Sequence, residues 1–190
     1  ESTALTITLG ANNIEALESP LQLSDHVTIK GAGTELTNIK STNRRTFVGY
    51  NLKGSEIKDL TIEGQGDGSK GGLHFIQSEV ILDNIHIKGC NNSKGGGLYV
   101  SNSVNSGQFV IRNSIINGSN EAANGGGIYI NNSNPFLENL IIYNNQSNHN
   151  GGGIYCYDSD LQLLNSLIEN NQTLISQGGG LHLENSNVNI

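Results

Sequence analysis

Five short glycine-led stretches constrain this chain more than anything else in it. They are Gly71-Gly72-Leu73-His74-Phe75, Gly95-Gly96-Gly97-Leu98-Tyr99-Val100, Gly125-Gly126-Gly127-Ile128-Tyr129-Ile130, Gly151-Gly152-Gly153-Ile154-Tyr155-Cys156 and Gly178-Gly179-Gly180-Leu181-His182-Leu183. Their last glycines, Gly72, Gly97, Gly127, Gly153 and Gly180, stand 25, 30, 26 and 27 residues apart. A fixed period in this range marks a solenoid, because one unit cannot bury its apolar face alone and must stack on the next.

Other columns repeat in step. One runs Ile57-Lys58-Asp59-Leu60-Thr61-Ile62, Leu82-Asp83-Asn84-Ile85-His86-Ile87, Ile111-Arg112-Asn113-Ser114-Ile115-Ile116, Leu137-Glu138-Asn139-Leu140-Ile141-Ile142 and Leu163-Leu164-Asn165-Ser166-Leu167-Ile168. A serine follows six residues after each final glycine, at Ser78, Ser103, Ser133, Ser159 and Ser186. The long second step is assigned to an insertion at Ser101–Gly107.

Leu137-x-x-Leu140-x-Ile142-x-x-Asn145 also fits a leucine-rich repeat, whose second half should be helical. Here that half opens on glycines, which oppose a helix, and continues in period-2 alternation such as Ile128-Tyr129-Ile130. The favoured fold is therefore all-β, a right-handed parallel β-helix of about six to seven turns. Leu73, Leu98, Ile128, Ile154 and Leu181 should point inward, with Phe75, Val100, Ile130, Cys156, Leu183 and the Ile62–Ile168 column. Asp59, Asn84, Asn113, Asn139 and Asn165 should turn a corner, since Asn tolerates left-handed backbone angles and stacks its amides.

Residues 1–26 read as an N-terminal cap with a first strand, Ala4–Leu9, and a short helical turn at Ile14-Glu15-Ala16-Leu17. Residues 27–190 read as solenoid. Val27-Thr28-Ile29-Lys30-Gly31-Ala32-Gly33 is echoed by Leu60-Thr61-Ile62-Glu63-Gly64-Gln65-Gly66, which suggests a turn lengthened near Ser41–Arg45. The chain stops at Asn187-Val188-Asn189-Ile190, in the opening of another turn. That favours a segment of a longer protein, with a self-assembling filament subunit as second choice.

The Asn corners and the repeated Gly-Gly-Gly-Ile-Tyr resemble the right-handed parallel β-helix family, the pectate-lyase-like superfamily. Within it they are most similar to repeats of bacterial secreted, autotransporter-type and polymorphic outer-membrane proteins. The resemblance covers about residues 27–190. It implies a surface or extracellular location but no single activity, since the fold hosts lyases, hydrolases, esterases, adhesins and stalks.

Composition narrows the partners. Of 190 residues 14% are charged, with a net charge of −7, so neither duplex DNA nor an anionic membrane gains from this surface. No apolar run is long enough to span a bilayer. Cys90 and Cys156 fall in different parts of the repeat, two repeats apart, which puts them beyond disulfide reach. Cys156 reads as a small buried residue and Cys90 as a free thiol. The histidines show no metal-ligand spacing.

Three outward columns are candidate sites. His74, Tyr99, Tyr129, Tyr155 and His182 form either a packing ladder or a flat strip on which sugar rings stack, with Asn131, Tyr157, Asp158 and Glu184 as hydrogen-bonding neighbours. Lys58, Asp83, Arg112, Glu138 and Leu164 form either self-neutralising pairs or lyase machinery. The family resemblance implies, for a lyase, a uronate carboxylate neutralised by Ca²⁺ or Arg and a Lys or Arg base. Arg112, Lys58 and Lys88 would be candidates, with Asp83 as orienter or ligand. The family's carboxylate cluster for calcium is not visible. Asp158 and Glu184 are the nearest approach to a hydrolase pair. Thr61, His86, Ile115, Ile141 and Leu167, beside Leu164, form an apolar outer stripe, covered either by a loop such as Leu174-Ile175 or by another chain.

The function these columns suggest is an extracellular or cell-surface β-helix acting as adhesin, glycan-binding module or assembly scaffold. The alternative is a polysaccharide lyase or related enzyme on acidic polysaccharide; no cofactor is expected, and Ca²⁺ would enter only with the lyase. A glycan is the expected ligand. The Ile115, Ile141, Leu167 stripe and the open C-terminal end are the expected self-association surfaces. Neither nucleic acid nor membrane insertion is expected.

Overall fold

The computed structural model describes residues 4–14, 19–42, 44–64, 71–103 and 108–190. Among these the regular structure is all strand, in a parallel β-helix of about seven turns. One sheet stacks seven strands: Leu21–Gln22, Phe47–Tyr50, Leu73–Ile76, Leu98–Ser101, Ile128–Asn131, Ile154–Tyr157 and Leu181–Glu184. Its register follows the glycine marks, with Leu73 on Leu98, Ile128, Ile154 and Leu181 in turn. A larger, two-armed sheet bends at a corner. Its first arm includes Val27–Lys30, the front of Ser55–Gly64 and Val80–Lys88, then Val110–Arg112, Phe136–Glu138 and Asp160–Leu164. Its second arm continues past the corner through Ile115–Asn117, Ile141–Tyr143 and Leu167–Glu169.

The expected inward columns form the core. Leu73, Leu98, Ile128 and Ile154 are fully buried, as are Ile62, Ile87, Ile116 and Ile142. Each such side chain contributes roughly 1.5–3 kcal/mol. The corner is built as its residue types require. Asp59, Asn84, Asn113, Asn139 and Asn165 all have φ between 48° and 57°, and Asn139 Nδ2 donates to Asn113 Oδ1 at 3.1 Å. The first glycine of each triplet supplies another corner; at Gly95, with φ 58°, an added Cβ would run into the Leu98 carbonyl.

The serine column is a hydrogen-bonded ladder. The backbone N–H of Ser78, Ser103, Ser133 and Ser159 donates to the hydroxyl one turn on, at 3.0–3.1 Å. Each hydroxyl donates in turn to the carbonyl two residues before it, as Ser159 does to Tyr157 at 2.7 Å. Buried backbone at this bend leaves the sheet without losing its partners.

Three expectations change. Residues expected as a cap are a turn of the solenoid: Leu5–Thr8 pairs with Val27–Lys30, Asn13–Ile14 with Asn38–Ile39, and Leu21–Gln22 with Phe47–Val48. The alternating Leu5, Ile7 and Leu9 satisfy the same inward pattern as later turns, which is why the boundary at residue 26 disappears. Ile14 is in a strand, and the rest of the expected helical turn lies outside the described residues. Secondly, Ile29 pairs with Ile57, not with Ile62. The extra residues sit at Gly31–Thr37, where Thr37 Oγ1 accepts from Ala32 N and donates to Gly10 O. The repeated Thr-Ile pair mimicked a register that the backbone does not use. The second expected insertion is in place: eight residues lie between Ser101 and Val110, against four between Ile76 and Ile81 one turn earlier, although 104–107 lie outside the described residues. Finally, Leu174 and Ile175 do not cover the apolar stripe. Their N–H groups bond to Ser147 O and Asn148 O, and they stay 59% and 74% exposed while Ile141 and Leu167 remain 40% and 49% exposed. At the other end of that stripe Thr61 is buried, donating to Thr34 O in the Gly31–Thr37 loop.

Candidate functional site

The outer face of the seven-stranded sheet carries a stack of rings. Successive centroids are 4.6 Å apart for His74–Tyr99, 5.3 Å for Tyr99–Tyr129, 5.1 Å for Tyr129–Tyr155 and 5.6 Å for Tyr155–His182. Planes lie within 11–33° of one another. Parallel strands place equal positions directly above each other, so the rings lie face to face along the helix axis. The flat sugar platform expected from the sequence is therefore not formed: Tyr129 and Tyr155 are only 6% exposed, and their faces are covered by their neighbours. Lys94 Nζ, 5.3 Å from the Tyr129 centroid, adds to that cover. Edges and hydroxyls are what this column presents.

Tyr50, from the neighbouring column, abuts the His74 end of the stack and differs from it. Its ring is tilted by 51° against His74 at 6.0 Å and is 47% exposed, so it keeps an open face. Sequence reading missed it because its turn lacks the glycine triplet. Gly49 there lies on the inward side, where a Cβ would strike Leu52 and Phe75.

Next to the rings run two further outward columns. One is Tyr50, Ile76, Ser101, Asn131, Tyr157, Glu184; the other, on the following corner, is Asn51, Gln77, Asn102, Asn132, Asp158, Asn185. All six corner residues are exposed with φ between 46° and 57°. This amide row recurs five residues after each final glycine, a signal that sequence reading passed over. Within these columns Asn131 Nδ2 donates to Ser101 Oγ at 3.1 Å and Asn132 Nδ2 to Asn102 Oδ1 at 3.0 Å. Tyr155 donates its hydroxyl to Glu184 Oε2 at 2.6 Å. Burial, then Glu184, pushes the Tyr155 phenol well up. Asp158, followed by Glu184, raises Tyr157 too. A cleft of about 350 Å³ opens beside the row, lined by Asn134, Asp158, Ser159, Asp160 and Asn185.

Behind His74 sits Arg45, which no repeat pattern could reveal. Its Nη1 donates to Leu73 O at 2.8 Å and Gly95 O at 2.9 Å, and its Nη2 to Lys94 O at 2.6 Å. Among the described residues no carboxylate pairs with it. Burial lowers its pKa to about 10, so it stays charged at neutral pH. Partial burial, followed by this guanidinium, holds His74 at about 4, a neutral imidazole. Cys90, fully buried nearby, is pushed up to about 12 by burial. It is an inert thiol. Cys156 is buried and free as well.

The charged column lies on the other sheet and neutralises itself. Arg112 Nε and Nη2 both reach Asp83 Oδ2, at 2.9 and 2.8 Å, and Asn113 Nδ2 holds Asp83 Oδ1 at 2.8 Å. Burial pulls Asp83 up, but Asn113 and Arg112 outweigh it and the carboxyl stays below its ordinary value. Lys58 pairs with Glu56 on its own strand at 2.6 Å, and that hydrogen bond raises its pKa. An ammonium held in this way is a poor base, which argues against Lys58, Arg112 and Asp83 as a catalytic set. Lys88 pairs with Glu63 at 3.3 Å. Of the expected hydrolase pair, Asp158 lines the cleft and Glu184, held by Tyr155, does not. Among the described residues no three His, Cys, Asp or Glu side chains are placed so that they could hold a metal ion.

Residues 12–146 match the family model described as Domain of unknown function (DUF4957). The chain belongs to that family. No curated protein matches it. Among solved structures, the Azotobacter vinelandii mannuronan C-5 epimerase AlgE4 A-module aligns with 97% of this chain and 87% of its own. Identity is 14% and the TM-score 0.31, and no residue role is carried over from it.

Proposed function

We propose that this DUF4957 chain is a non-catalytic, glycan-binding β-helix module of an extracellular or cell-surface protein. One observation carries the reading: the outer face of the seven-stranded sheet offers an exposed ring at Tyr50 and a row of exposed corner side chains, five amides and the Asp158 carboxylate, while Lys58 and Arg112 are ion-paired on the other sheet. Amides and hydroxyls at fixed spacing are the groups that orient saccharide hydroxyls, and one aromatic face adds apolar contact. The test is a glycan array probed with the chain and with Tyr50→Ala and Tyr157→Ala variants. Binding that weakens in both variants supports the module. Identical profiles, or no binding by the parent chain, overturn it.

A lyase reading retains one favourable observation, the neutral His74 imidazole beside the Arg45 guanidinium and Tyr99. A neutral imidazole can accept a proton, and a cation beside it suits a uronate carboxylate. Absorbance near 235 nm on pectate, alginate and chondroitin, with and without Ca²⁺, tests it. Turnover abolished by His74→Ala would replace the binding-module reading.

A further inference from the structure

The three outward columns of the candidate face are uneven in charge. From Val48 to His182, from Tyr50 to Glu184 and from Asn51 to Asn185 they hold two carboxylates, Glu184 and Asp158, and no lysine or arginine. Nearby cations are turned to other tasks: Arg45 to three backbone carbonyls, Lys94 to the Tyr129 ring. The cleft beside the row is lined by two asparagines, a serine and two aspartates. A uronate chain laid along the corner row would bring its carboxylates towards Asp158, Asp160 and Glu184, while Arg45 and Lys94 keep their charge one column away beside the rings of His74 and Tyr129, so the row itself meets it with like charge, at a cost in affinity and on-rate. A chain carrying hydroxyls alone meets donors and acceptors at every turn.

We infer that the ligand of this face is a neutral glycan, lying along the helix axis with its hydroxyls on the Asn51–Asn185 amide row, and that Glu184 and Asp158 exclude acidic saccharides. The inference rests on the binding-module reading above. Stacked turns lie about 4.8 Å apart, close to the length of one pyranose unit in an extended chain, so successive sugars meet successive corner side chains, amides at every turn but that of Asp158. The Asn84–Asn165 corner provides the internal control. It has the same backbone conformation and amide chemistry, but it adjoins the ion-paired column.

The experiment is calorimetric titration at low salt with hexasaccharides of neutral glucan, xylan and mannan, and with galacturonate and mannuronate hexasaccharides. At least one neutral probe should bind about tenfold or more tightly than either uronate, as expected for one like-charge contact near the surface. Glu184→Gln with Asp158→Asn keeps the Tyr155 acceptor and the left-handed corner. It should narrow that gap by raising uronate affinity, and 0.5 M salt should narrow the gap for the parent chain. Asn102→Gly and Asn132→Gly, which preserve positive φ, should each weaken the neutral ligand several-fold, whereas Asn139→Gly should not. Uronates binding as well as or better than every neutral probe overturn the inference and leave the binding module standing. If no saccharide of either kind binds, the binding module itself falls.

Discussion

On the two-armed sheet the outward side chains cancel one another in charge, Arg112 against Asp83 and Lys58 against Glu56; on the seven-stranded sheet they pack ring upon ring. Both columns solve the problem of stacking near-identical turns, and they differ in what that solution leaves for a ligand. Ion pairing satisfies the charged groups and leaves an inert surface beside a bare apolar stripe. Ring stacking hides the faces of Tyr129 and Tyr155 but leaves the neighbouring row of corner side chains exposed. The proposed ligand-binding role therefore falls to the polar shoulder of the aromatic face, not to the aromatic column itself.

The contrast predicts unequal energetics. Tyr129→Ala should have the largest effect, about 3–5 kcal/mol, because a buried ring packed between two others leaves a cavity that the flanking strands cannot close. Urea unfolding measures it, and a loss below about 1 kcal/mol would show that the stack is ornamental. Arg45→Met comes next, at about 2–3 kcal/mol, since three carbonyls lose a charged donor. The same change should move the His74 titration upward from about 4, as followed by the imidazole proton resonances.

His74 also ties the aromatic face to pH. The folded protein keeps the ring neutral down to about 4, while the unfolded chain takes up a proton near the ordinary value of about 6.5. Over that window the unfolded state binds more protons, so stability falls as pH drops from about 6.5 to about 4 and shows no further loss from this group below. A His74→Phe variant should lack that share of the slope in paired unfolding curves.

On the charged face the effects are small and depend on salt. Asp83→Asn should cost about 0.5–1 kcal/mol at low ionic strength and less at high salt; the Tyr129 deficit should not respond to salt. A pair that resisted screening would undo the distinction between the faces. Ile141→Ser and Leu167→Ser, on the exposed stripe, should stay within about 0.5 kcal/mol. A larger loss for the isolated chain would mean that something in the fold covers them.

The period, the inward columns and the corner that runs from Asp59 to Asn165 were legible because each arises from one residue's own preference repeated at fixed spacing: apolar burial for Ile87, a left-handed backbone for Asn113. The serine column was visible as a pattern, but its hydrogen bonds were not, since they run between turns. Register is legible where glycines mark it and misleading at Val27–Gly33, where a local echo of Thr-Ile outweighs the unseen Gly31–Thr37 loop.

Sequence alone determined that this chain stacks into a β-helix, because periodic burial and turn chemistry are properties of single positions. Tertiary structure alone decided which outward groups remain available. The ring faces are closed by stacking, Asp83 is taken by Arg112 and Asn113, and Arg45 reaches carbonyls 28 and 50 residues away. Availability is a relation between neighbours in space, and in a solenoid those neighbours lie a whole turn apart in the chain.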